Sequence, residues 1–292
     1  MNNILFAMLW MIGAIASFTT MAVAGRAVSF ELDTFEIMLF RSLTGIVVVL
    51  IAATIVGTRK QINCDRLGLH FIRNIFHFTG QNLWFYAIAT IPLAQVFALE
   101  FTTPIWVILL SPLVLHERMT SVGLLAALLG FAGVLIVTRP DTAVLSPGLI
   151  AGASCAIFFA LTAIFTRMLT QTAPITVIMF YITIMQAVFG LICAGFDGDI
   201  ALPSAGNIPL IILIGVTGLV AHFCLTNALK LAPASVVMPL DFIRLPTIAV
   251  VGMLFFDEPI QLLIFIGAAL IFAANYLNIR YGAAPQHIKK DN

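Results

Sequence analysis

The stretch that decides the fold is 85-FYAIATIPLAQVFALEFTTPIWVILLSPLVLHE-117, because it returns in altered form as 226-TNALKLAPASVVMPLDFIRLPTIAVVGMLFFDE-258. Sliding the chain by 141 residues lays Ala87 on Ala228, Pro92 on Pro233, Glu100 on Asp241, Phe101 on Phe242 and Glu117 on Glu258. The same shift carries outward in both directions, laying Arg26 on Arg167 and Gly57 on Gly198. Each half has room for five membrane-spanning helices, and a repeat with an odd number of spans sits upside down relative to its partner. Inverted repeats build transporters, because two packings related by a pseudo-two-fold axis in the membrane plane give inward-open and outward-open states of similar energy.

Composition supports spans rather than a soluble core. Hydrophobic residues make up 61% of the 292 residues and charged ones 9%, with a mean hydropathy of +1.10, against roughly 25% charge in soluble domains. A span needs about 20 apolar residues to cross a hydrocarbon core of about 30 Å, and a barrel would show alternating polarity instead. The pattern predicts an all-α polytopic membrane protein with ten helices at 4–28, 34–56, 67–89, 92–115, 120–138, 147–169, 174–196, 208–230, 233–256 and 260–281. They divide into a first repeat over 1–141, an inverted second repeat over 142–282 and a short tail over 283–292. The third span is the most polar, because Arg73, His77, Gln81 and Asn82 dilute it.

Connection charge sets the orientation. Arg59, Lys60, Arg66, Arg118, Arg167, Lys230, Arg280, Lys289 and Lys290 fall on alternate connections and at the tail, whereas the other connections hold mainly Arg26, Arg139 and acidic residues. The positive-inside rule then puts both termini of the multi-pass chain in the cytoplasm. The start, Met1 to Ile4, carries no basic side chain and reads as the first helix rather than a cleavable signal. Cys64, Cys155, Cys193 and Cys224 are scattered, which implies neither a disulfide framework nor a metal site. The polar connections are too short to hold a core of their own.

From Phe85 to Pro140 the chain resembles the drug/metabolite transporter superfamily, specifically its EamA-type repeat. The features that carry the resemblance are the connection Ala87 to Pro92, Pro104 within the fourth span, the turn from His116 to Thr120, and Gly123, Gly130 and Gly133. Arg41 matches an arginine usual in the family's first repeat, and Pro233, Pro246, Asp257-Glu258-Pro259 and Gly267 continue the pattern. The resemblance implies two inverted five-helix repeats around a central cavity, and export or exchange of small organic metabolites. Within the family the chain is similar to bacterial amino-acid exporters, which implies a multi-pass protein of the bacterial inner membrane. Fold likeness alone does not select a substrate.

Ionisable groups in hydrocarbon cost at least about 2.5 to 3.5 kcal/mol on insertion scales, so each should face a cavity or a partner. Arg73, His77, Gln81 and Trp84 recur at steps of four, four and three, which puts them on one helical face. That face reads as a cavity wall, with Trp84 as platform and His77 and Gln81 fixing a polar end, or as an interhelical hydrogen-bond strip. The repeat lays Gln81 on His222 and Phe85 on Thr226, adding a second polar pair. Glu100 and Phe101 on span four, beside Pro104, mirror Asp241 on span nine, where Arg244 stands three residues on and could neutralise it. Glu100 has three readings: an ion pair with Arg41 or Arg73, a contact to a substrate ammonium, or a protonated carboxyl that couples transport to protons.

The candidate substrate-binding residues are therefore His77, Gln81, Trp84, Glu100, Phe101, His222, Thr226 and Asp241, with Arg41, Arg73 and Arg244 as charge partners. Phe78, Phe242, Tyr86 and Tyr181 are further aromatic candidates. Spans three, four, eight and nine are expected to wall the cavity. Glu117 and Glu258 lie at span ends and are expected to set turns and cap the following helix, while Gly148 and Gly152 form a GxxxG that serves internal packing or a dimer seam.

The expected partners are a small-molecule substrate and the lipid bilayer, with no nucleic acid and no cofactor. The leading reading is a secondary carrier that exports or facilitates movement of small neutral amino acids, hydrophobic and aromatic ones included, and related metabolites by alternating access. Export of organic cations is the alternative, with aromatic rings and Glu100 holding the charge. A passive channel and an intramembrane enzyme are lesser ones: HExxH and GxxxxGK[ST] are absent from the sequence.

Overall fold

The computed structural model describes residues 3–115, 120–138, 146–196, 198–231, 240–241 and 243–281. Among the described residues, the regular elements are helices: α1 (Asn3–Val28), α2 (Thr34–Ile55), α3 (Leu67–Thr90), α4 (Leu93–Glu100), α5 (Thr103–Val114), α6 (Ser121–Thr138), α7 (Pro147–Thr170), α8 (Ile175–Ala194), α9 (Ile208–Leu231), α10 (Arg244–Phe256) and α11 (Leu262–Tyr281), with a 3-10 turn at Arg59–Gln61. Among the described residues, seven segments, α4 and α5 counted together, are long and apolar enough to cross a membrane. The shorter α6 and α10 are apolar too. α3 has a span's length, but it buries His70, Arg73, Asn74, His77, Gln81 and Asn82, which only a protein interior can accommodate at membrane depth.

Local chemistry sets several boundaries. Asp33 caps α2 through a reciprocal box: Glu36 N donates to Asp33 Oδ1 at 2.8 Å, and Asp33 N donates to Glu36 Oε2 at 2.9 Å. Ser146 caps α7 by accepting from Leu149 N, with Pro147 at the first helical position. Gly57 and Gly198, which are repeat mates, close the exits of α2 and α8 with φ of +76° and +82°, a left-handed geometry that costs glycine little.

The fourth span departs from the single helix that its hydropathy predicts. It stops at Glu100, turns through Phe101 and Thr102, and restarts as α5 with Pro104 in the first turn. A proline there lacks an amide that would have no helical partner anyway, so Pro104 opens a helix rather than kinking one. Pro246 likewise lies in the first turn of α10, downstream of the start predicted for the ninth span. The turn at 116–119 with Glu117, Pro233, Pro239, Phe242 and the tail 283–292 lie outside the described residues.

The helices pair across the two halves. α1 packs on α9, α3 on α7, α2 on α8, α6 on α11 and α4 on α10. Exchanging the halves converts the α1–α9 pair into α7–α3 and returns α2–α8, α4–α10 and α6–α11 to themselves, as a two-fold axis requires. Close approach needs small residues: a Cβ on Gly133 would strike the carbonyl oxygen of Gly267, and one on Gly267 the oxygen of Gly133. Gly148 and Gly152 pack internally, against Thr90, Ile91 and Leu99.

Candidate functional site

Two polar networks occupy the centre of the bundle. In the first, Arg41 of α2 donates to Gln81 Oε1 of α3, and its guanidinium lies 5.6 Å from the ring of Phe85. Arg73 points the other way, donating to Thr166 Oγ1 of α7 at 3.0 Å and to Asn74 Oδ1 at 3.1 Å. Gln186 of α8 donates to the carbonyl of Asn74 at 3.0 Å. His77 is buried, with its Nδ1 lacking a hydrogen-bond partner, and shares a cavity wall with Arg41 and His222. A cavity of about 30 Å³ lies among Arg41, Ser42, His77, Thr183, Gln186 and His222, room for about one or two waters.

The second network is ionic. Trp84 Nε1 donates to Glu100 Oε2 at 2.8 Å, while Arg244 Nη2 donates to Glu100 Oε1 at 3.2 Å and to Asp241 Oδ2 at 2.9 Å. Phe18, Phe97 and Phe101 present their rings to the Arg244 guanidinium at 4.7, 4.9 and 5.0 Å. Phe18 also meets His222 edge-on at 5.5 Å, which joins the two networks.

These positions settle several expectations. The partner of Glu100 is Arg244 of the opposite half, neither Arg41 nor Arg73, and the Asp241–Arg244 pair is present as a shared corner of the same cluster. The cavity walls are α2, α3, α8 and α9, so the second and seventh spans contribute more than the fourth. Of the aromatic candidates, Phe101 joins the cluster, whereas Phe78 stacks on Phe35, Tyr86 is exposed and Tyr181 donates to Asn63 O at 2.8 Å. The side chain of Thr226 is outside the described residues. Sequence reading missed His70, Asn74 and Gln186, all buried; polarity within the otherwise apolar α8 was the signal available for Gln186.

The two ends of the bundle differ. A larger, mostly apolar cleft of about 340 Å³ shares Met179, Leu219 and His222 with the small cavity and runs between α2, α8 and α9 toward Val56, Thr58 and Thr176. That is the end carrying Arg59, Lys60 and Arg66. The other end is stitched shut. Arg26 is 8% exposed, pairs with Glu258, and donates to the carbonyls of Ile88 and Ile91. Leu93 N donates to Glu258 Oε2 at 2.8 Å, so Glu258 caps α4 instead of the helix that follows it. Glu36 accepts from Ala201 N at 2.6 Å, and Glu31 accepts from Ser204 and Asn207.

Known proteins resemble this chain in sequence and in fold. A protein of Brucella anthropi named riboflavin transporter is 29% identical over 77% of this chain and 80% of its own length. One of the same name from Vibrio cholerae is 27% identical over 90% and 89%. An S-adenosylmethionine uptake transporter of Rickettsia bellii is 22% identical over 85% and 84%. A crystal structure with 18% identity superposes with a TM-score of 0.64, covering 93% of this chain and 95% of the other, which fixes likeness of fold alone. The model of the EamA-like transporter family matches twice, over residues 5–139 and 146–280. A double match of that extent, on a bundle whose halves pair as two-fold mates, makes the chain a multi-pass membrane protein of the EamA-like transporter family, a transporter and not an enzyme.

Proposed function

We propose that this transporter is a ten-span secondary carrier, built from inverted five-helix repeats over 1–141 and 142–282, with both termini in the cytoplasm of a bacterial cell and its substrate held between the two polar networks. His77, Gln81, Trp84 and His222 contact the substrate, and Arg41 supplies the charged donor. The carrier works by alternating access, and the conformation at hand is closed at the Arg26–Glu258 end and cleft at the other.

The observation that carries the substrate class is charge balance. Among the described residues, both carboxylates of the centre, Glu100 and Asp241, are engaged by Arg244, while Arg41 and Arg73 bond to neutral side chains, Gln81 and Met38 for the first and Thr166 and Asn74 for the second. What remains to meet a substrate is donor-rich. That suits a neutral or anionic molecule with several acceptors on a planar ring, which bidentate donors and aromatic platforms recognise well. Relatives named for riboflavin fit this class. A zwitterionic amino acid would satisfy Arg41 with its carboxylate but leave its ammonium without a free carboxylate, and an organic cation fits less well still.

Uptake of radiolabelled riboflavin into proteoliposomes, measured against empty liposomes with and without an inward proton gradient, tests the reading. Saturable riboflavin uptake that excess leucine and phenylalanine leave unchanged is the expected result. Saturable uptake of the amino acids without any of riboflavin would restore the amino-acid reading. Uptake of neither, by folded protein, would overturn both.

A further inference from the structure

The Arg244 cluster is a binding site whose ligand is built in. Three phenylalanine rings from α1, α4 and the α4–α5 turn surround a single guanidinium within 5.0 Å, and two carboxylates bind its Nη2. Rings supply the quadrupole attraction and carboxylates the charge, which together form the chemistry that recognises an organic cation in a desolvated pocket. The residue is 4% exposed, so the cage is closed around it. Asp241 Oδ1 is also buried without a hydrogen-bond partner, leaving acceptor capacity that Arg244 does not use.

We infer that Arg244 determines the charge selectivity of the carrier: it occupies, as a tethered guanidinium, a cation subsite formed by Phe18, Phe97, Phe101, Glu100 and Asp241, and thereby excludes cationic metabolites from the centre. Tethering makes the competition one-sided. A side chain attached beside its own site acts at an effective concentration in the millimolar range or above, so a free ammonium, sulfonium or guanidinium compound must displace a competitor that never diffuses away. With Arg244 in place, two carboxylates face one cation. Without its side chain the same rings would enclose two uncompensated carboxylates, and the subsite would accept a small organic cation instead. Specificity here is a difference of affinities created by filling the competing site.

The inference rests on the carrier reading only for its consequence in transport. Binding to purified full-length protein in detergent tests it separately, with methylguanidinium and tetramethylammonium as probes and thermal stability as the readout. For R244A we expect saturable stabilisation by either probe with an apparent affinity at least tenfold above that of the parent. R244K, which keeps a tethered cation, should show no such gain, and R244A/E100Q should lose most of it. If R244A does not fold alone, purification in methylguanidinium should recover monodisperse protein where an equal concentration of sodium chloride does not. Parent protein that binds the probes as tightly as R244A, an R244A that folds without binding them, an R244K that gains as much as R244A, or an R244A that methylguanidinium fails to recover would each overturn the inference. Failure of riboflavin uptake would leave these binding results standing, so the two readings fail separately.

Discussion

Trp84 shows how a candidate residue can call for the wrong test. Its place on the polar face of α3 suggests truncation to alanine, yet it is 2% exposed and packs edge-on against Phe85 and Phe97 at 5.2 and 6.0 Å. Removing so large a buried side chain costs about 3 to 5 kcal/mol and confounds transport with folding. Trp84→Phe keeps most of the packing and removes only the Nε1 donor to Glu100. Transport by that variant should fall roughly tenfold with a monodisperse profile, the loss of one buried charge-assisted bond being worth about 1.5 to 3 kcal/mol. Gln81→Ala strips Arg41 of its α3 acceptor and should lower transport similarly, at a stability cost of about 1 kcal/mol. Parent-like uptake by both would remove this face from the substrate path.

Glu31 offers a pH-dependent contact outside the spans. The backbone N–H of Ser204, then its hydroxyl and Asn207, hold the Glu31 carboxyl below its ordinary value near 4.5. A lowered folded value means that the contact contributes fully above the ordinary value and is lost as the pH falls through the lowered one. The small difference in Tm between Glu31→Gln and the parent at pH 7 should therefore narrow below about pH 4.5 and vanish on full protonation. A difference that persists at low pH would assign it to packing.

At the scale of elements, the seal at one end is a junction of four. Arg26 at the end of α1, Ile88 of α3 with Ile91 just beyond it, Leu93 at the start of α4, and Glu258 just after α10 share one set of bonds. Removing one partner of a buried ion pair is costly because the other is left uncompensated. Glu258→Gln should raise amide exchange across 86–95 by roughly tenfold, about 1.4 kcal/mol of local stability, while exchange across 57–66 stays put. Unchanged exchange at 86–95 would mean that packing alone closes this end. The repeat mate of Arg26, Arg167, is exposed, so related positions stand in different environments at the two ends.

For the whole molecule, the decisive question is which end faces the cytoplasm. Cys64 lies exposed in the α2–α3 connection beside Arg59, Lys60 and Arg66, whereas Cys155 and Cys224 are buried and Cys193 is partly so. A membrane-impermeant maleimide should label Cys64 in inside-out vesicles and not in intact spheroplasts. The reverse pattern would invert the topology and put the cleft on the outer side.

What the sequence determined by itself was the helices, their ends to within a few residues over most of the chain, and the pairing of related positions such as Gly57 with Gly198. These are local matters: in hydrocarbon each span must satisfy its own backbone, so length, hydropathy and turn chemistry specify it. The Asp33–Glu36 box was equally open to reading. Only the tertiary structure decided that the fourth span breaks at Phe101, that Arg41 meets Gln81 while Arg73 turns to Thr166, and that Glu100 pairs with Arg244 across 144 residues of chain. The hydropathy of a span is nearly blind to rotation about its axis, and that rotation, set by neighbours from the other half, selects which buried charge meets which.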